Sequence, residues 1–448
     1  MKPDALPDNL ADWLALLERR HGVAIDLGLE RCSTVWRQMG CPRPAPRVFM
    51  VAGTNGKGST VATLCALLGA LGYRYGSYTS PHITVYNERV RVNGKPVSDR
   101  ALIESFLNIE AARGDRDLSY FEFGTLAAID LLARAELDFA VLEVGLGGRL
   151  DAVNLIDTDC AVITPIGLDH QAYLGDDLLS IGREKAGIIR PLKPVISGES
   201  DPPETIVETA GQQKAPLQRL GREFSIERRN GHARFTRGGL SLELPLPALD
   251  GPHQLNNMAT AVAALLTLIP TAADRPGALA TGLRSVSIRG RFQRILQSPA
   301  VWVDVGHNPM AARAVAAALI DARKAEKLKN IRCVLAILAD KDAAGVVREL
   351  MPLVSGWYCA GLEDDRGQSG AQLAARLKEA HLPIQVKEYE RVSEAIDAAL
   401  AESGPHDGVL VFGSFYTAAE TLAHTRARNH DSSPGMLIES SSSDRVNG

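Results

Sequence analysis

The sequence predicts an α/β protein of two domains, each built on a mostly parallel sheet, with a phosphate-binding loop in the first and larger one. Three observations lead there. Short apolar runs of strand length alternate with helical stretches through both halves of the chain, a pattern that parallel sheets with right-handed crossovers satisfy. The length, 448 residues, exceeds what a single core ordinarily organises. Val48–Thr60 reads VFMVAGTNGKGST, which is a buried-strand run, a glycine-punctuated turn and the start of an apolar helix.

That stretch is the natural starting element. A strand, a glycine turn and a helix N-terminus together make an anion cradle, because backbone N–H groups converge where the helix dipole is positive. Gly53, Gly56 and Gly58 allow close approach of a phosphate, Lys57 can reach the outer phosphates, and Ser59 or Thr60 could face a magnesium ion. The strict Walker A spacing is not met, since only Thr54 and Asn55 separate the first two glycines and Gly58 follows Lys57. A plain structural βα turn is the competing reading, and the strand–turn–helix context favours the nucleotide.

Before the cradle, Leu10–Arg19 reads as an amphipathic helix with Asp8 or Asn9 as its cap, and Ala24–Met39 as a loop continuing into helix. After the cradle helix, expected over Thr60–Leu71, come a strand at Tyr73–Tyr78 and the turn Thr79–His82. Glu88–Val97 alternates around Asn93-Gly94, a strong hairpin signal. Helices are expected over Ala101–Arg113 and Phe121–Ala135, and strands over Phe139–Val144 and Cys160–Thr164, with the glycine-rich loop Gly145–Asn154 between them. Phe224–Leu246 shortens into alternating runs, a small antiparallel insert, and Asn256–Leu268 is an alanine-rich helix. A second βα series from Gly290 carries strands at Ala300–Val305, Ile331–Leu338, Trp357–Ala360, Ile384–Tyr389 and Val409–Gly413. The expected division is 1–289, 290–427, and a disordered polar tail over 428–448.

Composition narrows the class. The chain is 45% hydrophobic and 23% charged with a net charge of −4, which suits a globular protein and argues against one built around a nucleic-acid backbone. Six scattered cysteines without a CxxC pair point to reduced thiols in a cytoplasmic protein. No signal peptide or membrane-length apolar run is expected.

Polar residues at strand ends are the functional candidates, because ligands of such sheets sit beyond the carboxyl ends of the strands. Lys57, Ser80, Glu143 and His170 all follow strands in the first domain. Glu143 sits where a P-loop protein places a magnesium carboxylate. His170 and Ser80 are unremarkable alone, the one usually a satisfied histidine and the other a turn residue before Pro81. Lys185, in IGREKAGI, would ordinarily be a solvated lysine paired with Glu184. Asp304, His307 and Asn308 end the first strand of the second domain. Ser414 follows VLVFG, where a Gly-Ser turn is also simply a helix cap.

Together GTNGKGS, TSPH, VLEVGLGGRLDAVN, GLDH, IGREKAGI, GRF, DVGHNP and the terminal GSF resemble the folylpolyglutamate synthase family within the Mur-ligase-like superfamily. AIDLGLER is similar to the bacterial members that also carry dihydrofolate synthase activity. The resemblance runs from about Leu10 to Ala427 in order. It implies a Mur-ligase-like P-loop central domain followed by a Rossmann-like glutamate-ligase domain. It also implies ATP- and magnesium-dependent ligation of L-glutamate to dihydropteroate and then to reduced folates, by a monomer without nucleic-acid or membrane partners. By that resemblance Thr54, Asn55, Gly56, Lys57, Gly58 and Ser59 bind phosphates, with Asn257, Arg291 and Asp304 as further ATP contacts. Ser80, Glu143, His170 and a carbamylated Lys185 hold magnesium, and Lys57 joins the last three of these as catalytic candidates. Ala24, Ile25, Asp26, Leu27, Ser119, Tyr120, Phe121, Glu122, Leu150, Asp151 and Ala152 match the pterin-substrate loops. His307 and Ser414 match, more weakly, the incoming glutamate.

Two departures stand out, Arg289 where proline is usual before Gly290-Arg291, and Gly306 where alanine is usual before His307. The rival readings are a polyglutamate synthase alone, another Mur-type ligase, and, outside the class, a regulatory P-loop ATPase. A cell-wall ligase is disfavoured because Met1–Arg47 is short for an extra nucleotide-sugar domain. The ATPase would hydrolyse ATP without glutamate and form no amide.

Overall fold

Arg47–Ala52 (β1) is the strand on which the first unit is built, and its side chains divide between two cores. Val48, Met50 and Ala52 face one buried cluster while Phe49 and Val51 face the other, as strand alternation requires when both faces of a sheet are covered. The computed structural model describes residues 6–20 and 26–431, with side chains through 427. Around β1 lie Tyr75–Tyr78 (β2), Val90–Val92 (β3), Lys95–Pro96 (β4), Phe139–Glu143 (β5), Cys160–Ile163 (β6), Val195–Ser197 (β7) and Leu217–Arg219 (β8), in the order β4-β3-β2-β5-β1-β6-β7-β8. All neighbours pair parallel except β2–β3 and β3–β4. That antiparallel edge is the hairpin expected from Asn93-Gly94, whose φ values of 48° and 79° are the left-handed pair its tight turn needs.

One core holds Trp13 from helix Leu10–Arg20 against Phe106 and Phe123. Asn9 caps that helix by accepting from the Asp12 amide at 2.9 Å. The other core holds the helices Lys57–Ala70 and Pro252–Leu268 and the inner face of the insert. The insert is three antiparallel strands, Phe224–Arg229 (β9), His232–Arg237 (β10) and Leu240–Pro245 (β11), which bury Phe224, Phe235 and Leu244.

The second unit carries Gln293–Leu296 (β12), Ala300–Asp304 (β13), Ile331–Leu335 (β14), Gly356–Ala360 (β15), Val386–Tyr389 (β16) and Gly408–Phe412 (β17). Their order is β12-β13-β17-β14-β15-β16, parallel apart from β12. The two compact units are Met1–Leu246 with Leu255–Val286, and Pro247–Gln254 with Ser287–Gly448.

The structure departs from expectation at several points. Pro247–Gln254 was assigned to the first domain but groups with the second, where Gly251 packs by Ala318 and the charges of Asp250 and His253 face Arg294 and Arg291. The turn expected over Gly53–Ser59 ends at Gly56, and Lys57 already opens the helix. Helix occupies only Glu30–Gln38 of Ala24–Met39, and Ala24 and Ile25 lie outside the described residues. The strands β7, β8 and β12 were not foreseen. The last helix, Phe415–Asp431, passes beyond Ala427 into the stretch read as tail; the rest of that stretch lies outside the described residues.

All six cysteines are free thiols, buried apart from Cys41. No helix among the described residues is long and apolar enough to cross a membrane.

Candidate active site

The cradle is shaped by two glycines that no other residue could replace. Gly53 has φ +143°, and a Cβ there would lie 1.8 Å from Thr164 Oγ1; Gly56 has φ +93°, and its Cβ would lie 2.5 Å from Asn257 Oδ1. The loop between them is latched to the segment after β6. Thr54 and Asn55 donate their amides to the Pro165 carbonyl at 3.0 and 3.3 Å. The Thr54 hydroxyl meets both the amide and the carbonyl of Gly167. Gly56 is the N-cap of helix Lys57–Ala70 and has no side chain to cap it, so the positive end of the helix dipole is open to an anion. Ser59 and Thr60 are buried in its first turn, and Thr60 Oγ1 has no partner among the described residues.

Two lysines converge on the cradle. Lys57 Nζ donates to the carbonyls of Gly53 and Thr54, both at 3.1 Å, and Lys185 Nζ donates to the same Gly53 carbonyl at 2.8 Å. Lys185 is 4% exposed. Burial, then the charge of Lys57, pushes its ammonium down to about 7, against the pull of Asp169 and Asp151. The pairing with Glu184 that the sequence suggested does not form. Glu184 binds Arg149 at 2.8 Å, and Lys185 turns inward from the last turn of helix Leu178–Ala186.

The strand ends meet as the sequence required. Register places Tyr78 beside Leu142, Glu143 beside Val51, and Ala52 beside Ile163. The carboxyl ends of β2, β5, β1 and β6 therefore share one rim, on which Ser80, Glu143, Gly53–Lys57 and His170 follow. Glu143 is buried. His170 has φ +52° and donates its amide to Asp169 Oδ1 at 2.9 Å.

The loop Gly145–Asn154 is held by Asp151, which accepts from the amides of Leu146 at 2.7 Å and Val153 at 2.9 Å. Burial pushes this carboxyl up to about 6. Asn154 ties the loop to the Gly187 carbonyl at 3.1 Å, just past Lys185. Phe121 packs on Gly145, and Ala152 is buried with Leu150 half-buried beside it. Ser119 and Glu122 form a reciprocal capping box for helix Tyr120–Arg134. The Glu122 carboxylate also receives Arg31 Nε at 2.9 Å, and Arg31 reaches the Asp26 carbonyl at 3.0 Å. Leu27 lies in the same non-helical segment.

The second unit has its own arrangement. Asp304, ending β13, accepts from the amides of Phe292 and Gly306, both at 2.7 Å. Burial raises its carboxyl, while Arg291 pulls it down. The Arg291 guanidinium lies 5.3 Å from the centroid of Phe415. His307 Nδ1 meets the Val305 carbonyl at 3.1 Å; a carbonyl only accepts, so Nδ1 carries the proton. Gly306 has no room for the usual alanine, since its Cβ would lie 2.6 Å from the Phe412 ring. Ser414 is buried and committed. Its oxygen accepts from the Thr417 amide at 3.0 Å, and its hydroxyl donates to Thr417 Oγ1 at 2.6 Å, which in turn donates to the Ala336 carbonyl. The helix-cap reading of Ser414 is the one this geometry supports.

Sequence reasoning missed Thr164 and Asp169, and it missed Arg89. Arg89 was read as part of an alternating strand; it closes the short 3-10 turn Tyr86–Arg89 and is buried. Its Nε donates to His82 Nδ1 at 3.0 Å. The only signal was its place just after the TSPH turn.

Comparison with known proteins places the chain in a family. The Mur ligase middle domain matches residues 51–265, and the Mur ligase glutamate ligase domain matches residues 290–415. The chain is similar to the dihydrofolate synthase/folylpolyglutamate synthase of Escherichia coli, 45% identical over 94% of this chain and 96% of the relative. It is 32% identical to that of Mycobacterium tuberculosis over 93% of this chain and 95% of the relative. Among solved structures, E. coli FolC in complex with DHPP and ADP superposes with a TM-score of 0.85 at 44% identity, covering 94% of this chain and 99% of that one. The Yersinia pestis bifunctional synthase complexed with AMPPNP and Mn ion gives a TM-score of 0.85 at 42% identity, covering 94% of this chain and 100% of that one.

Proposed function

This chain belongs to the dihydrofolate synthase/folylpolyglutamate synthase family of Mur ligases, and from that premise we infer how its cradle is used. The protein is an ATP-dependent ligase that joins L-glutamate to 7,8-dihydropteroate, giving dihydrofolate, and adds further glutamates to tetrahydrofolates. The observation that carries the reading of the site is the convergence of Lys57 and Lys185 on the Gly53 carbonyl at an open helix N-terminus.

A carboxylate is a poor electrophile at neutral pH. One of its oxygens attacks the γ-phosphorus of ATP, the bond to the β-phosphate bridging oxygen breaks, and ADP departs, leaving an acyl phosphate. The glutamate amine then attacks the acyl carbon, and phosphate leaves with the carboxylate oxygen as the amide forms. The helix N-terminus and Lys57 hold the phosphates and offset their charge, so the protein's contribution is position and electrostatics. The buried loop around Asp151, Phe121 and Tyr120 holds the pterin end of the acid. Asn257, whose side chain backs Gly56 of the cradle, is assigned to the same nucleotide.

The ligase uses a divalent cation, and we assign magnesium to Ser80, Glu143, His170 and a carbamylated Lys185. The oxygen donors fit, because an alcohol and a carboxylate on one rim suit a hard cation, and His170 joins them by the family resemblance. An ammonium at Lys185 would repel the metal. An amine held down at about 7 keeps a substantial neutral fraction at physiological pH and adds carbon dioxide with loss of a proton, which makes it an anionic oxygen donor. When bound, the cation neutralises charge on the transferring phosphoryl group.

The test is one assay with purified protein, ATP, magnesium and glutamate, using dihydropteroate and tetrahydrofolate in parallel and reading products by mass. Glutamate is expected to add to both. Addition to tetrahydrofolate alone would reduce the protein to a polyglutamate synthase, and ATP hydrolysis without amide would contradict the reading. A carbamate carbon from labelled bicarbonate, present in wild type and missing in Lys185→Ala, checks the modification.

A further inference from the structure

We propose that Arg89 is a positioning residue for ligation, tying the Ser80 turn to the segment that carries Tyr120. The inference rests on the roles assigned above to those two residues.

The turn Tyr86–Arg89 grips the chain on either side of Ser80. Thr79 donates its amide to the Arg89 carbonyl at 2.9 Å. Arg89 Nε donates to His82 Nδ1 at 3.0 Å. Glu88 accepts from the amides of Ile83 at 3.0 Å and Thr84 at 3.3 Å. Ser80 and Pro81 lie inside this grip, so the backbone path through Ser80 is held by Glu88 and Arg89. The other side of the Arg89 guanidinium faces rings. It lies 5.0 Å from the centroid of Tyr86 and 5.5 Å from that of Tyr120, whose own rings meet edge-on at 5.8 Å. Tyr120 is the first residue of the helix whose next residue, Phe121, packs on Gly145.

Arg89 is 8% exposed, and no carboxylate among the described residues forms an ion pair with it. A buried cation without a carboxylate is costly, and an apolar side chain would fill such a space at less expense. A strut within an aromatic core needs no charge; here the guanidinium bonds His82 and the Tyr78 hydroxyl as well. A guanidinium does what an apolar residue cannot: it donates through Nε to His82 while its central carbon lies over two aromatic rings. One rigid group thus ties the turn that carries Ser80 to the ring of Tyr120.

The test compares Arg89→Met, Arg89→Lys, His82→Ala and Ser80→Ala. Binding of manganese to the protein with AMPPNP is followed by electron paramagnetic resonance without acid substrate, and KM and kcat for dihydropteroate are measured separately. Arg89→Met is expected to weaken manganese roughly ten-fold, the usual scale for groups that orient a metal ligand, and to raise KM for dihydropteroate by a similar factor. His82→Ala is expected to weaken manganese alike and to move KM less. Arg89→Lys keeps the charge without the planar fork and is not expected to rescue either value. If Arg89→Met does not fold, Arg89→Lys and His82→Ala decide. Unchanged manganese affinity and KM in folded Arg89 variants, with Ser80→Ala weakened, would overturn the inference alone. Unchanged affinity in Ser80→Ala would instead overturn the metal assignment, and the inference with it.

Discussion

Replacing Lys185 by methionine should make the protein more stable while stopping ligation. The folded amine sits at about 7 against an ordinary 10.5. At about 1.4 kcal/mol for each factor of ten in proton affinity, holding this group costs roughly 4 kcal/mol at pH 7. Methionine removes that cost but loses the bond from Nζ to the Gly53 carbonyl, 2.8 Å long and worth about 1 kcal/mol. The carbonyl keeps Lys57 as a donor. The net gain is therefore about 3 kcal/mol at pH 7. Its pH dependence has a definite sign. The unfolded chain holds the proton up to 10.5 and the folded chain releases it near 7, so the penalty is complete below about 7 and fades as pH rises towards 10.5. The advantage of Lys185→Met should shrink to about 1 kcal/mol by about pH 9. Native-state hydrogen exchange of the helix Lys57–Ala70 in carbon-dioxide-free buffer reads the unit that holds Lys185, with ligation measured in parallel. A variant no more stable than wild type at pH 7, or a gain that ignores pH, would refute a lysine buried at its own electrostatic expense.

Other substitutions probe separate parts of the account. Gly53→Ala forces a Cβ against Thr164 in a left-handed backbone; a loss of about 2–4 kcal/mol and of ATP binding is expected by thermal melting and nucleotide titration. Glu143→Gln should lower kcat by at least about a hundred-fold while the melting temperature holds, and wild-type turnover would remove Glu143 from the site. Ser414→Ala should cost about 1 kcal/mol as a lost helix cap and leave KM for glutamate unchanged, as steady-state kinetics with varied glutamate would show.

Much of this was legible in the residues. β1, the glycine cradle and the strand-end rim followed from apolar runs broken by glycine and from polar residues placed directly after them. The hairpin at Asn93-Gly94 was equally plain, because that pair has few other uses between alternating segments. What stayed hidden was decided by tertiary contact. Lys57 opens the helix although glycines flank it, since packing of Leu64, Leu67 and Leu68 overrides weak local propensity. Short strands such as Leu217–Arg219 and Gln293–Leu296 carry charge and little periodicity, and they exist because a neighbouring strand offers its edge. Lys185 turns inward because Arg149, distant in sequence, takes Glu184. Arg89 looks like a surface residue until the two tyrosine rings are placed. Ser414 resembles a ligand-facing serine until Thr417 and Ala336 are seen to use its hydroxyl network.

The triphosphate held at this rim energises the acid itself. Dihydropteroate labelled with oxygen-18 in its carboxylate, turned over with ATP and glutamate, tests it most directly. One labelled oxygen is expected in the inorganic phosphate for every amide formed. Unlabelled phosphate released alongside the amide product would contradict it.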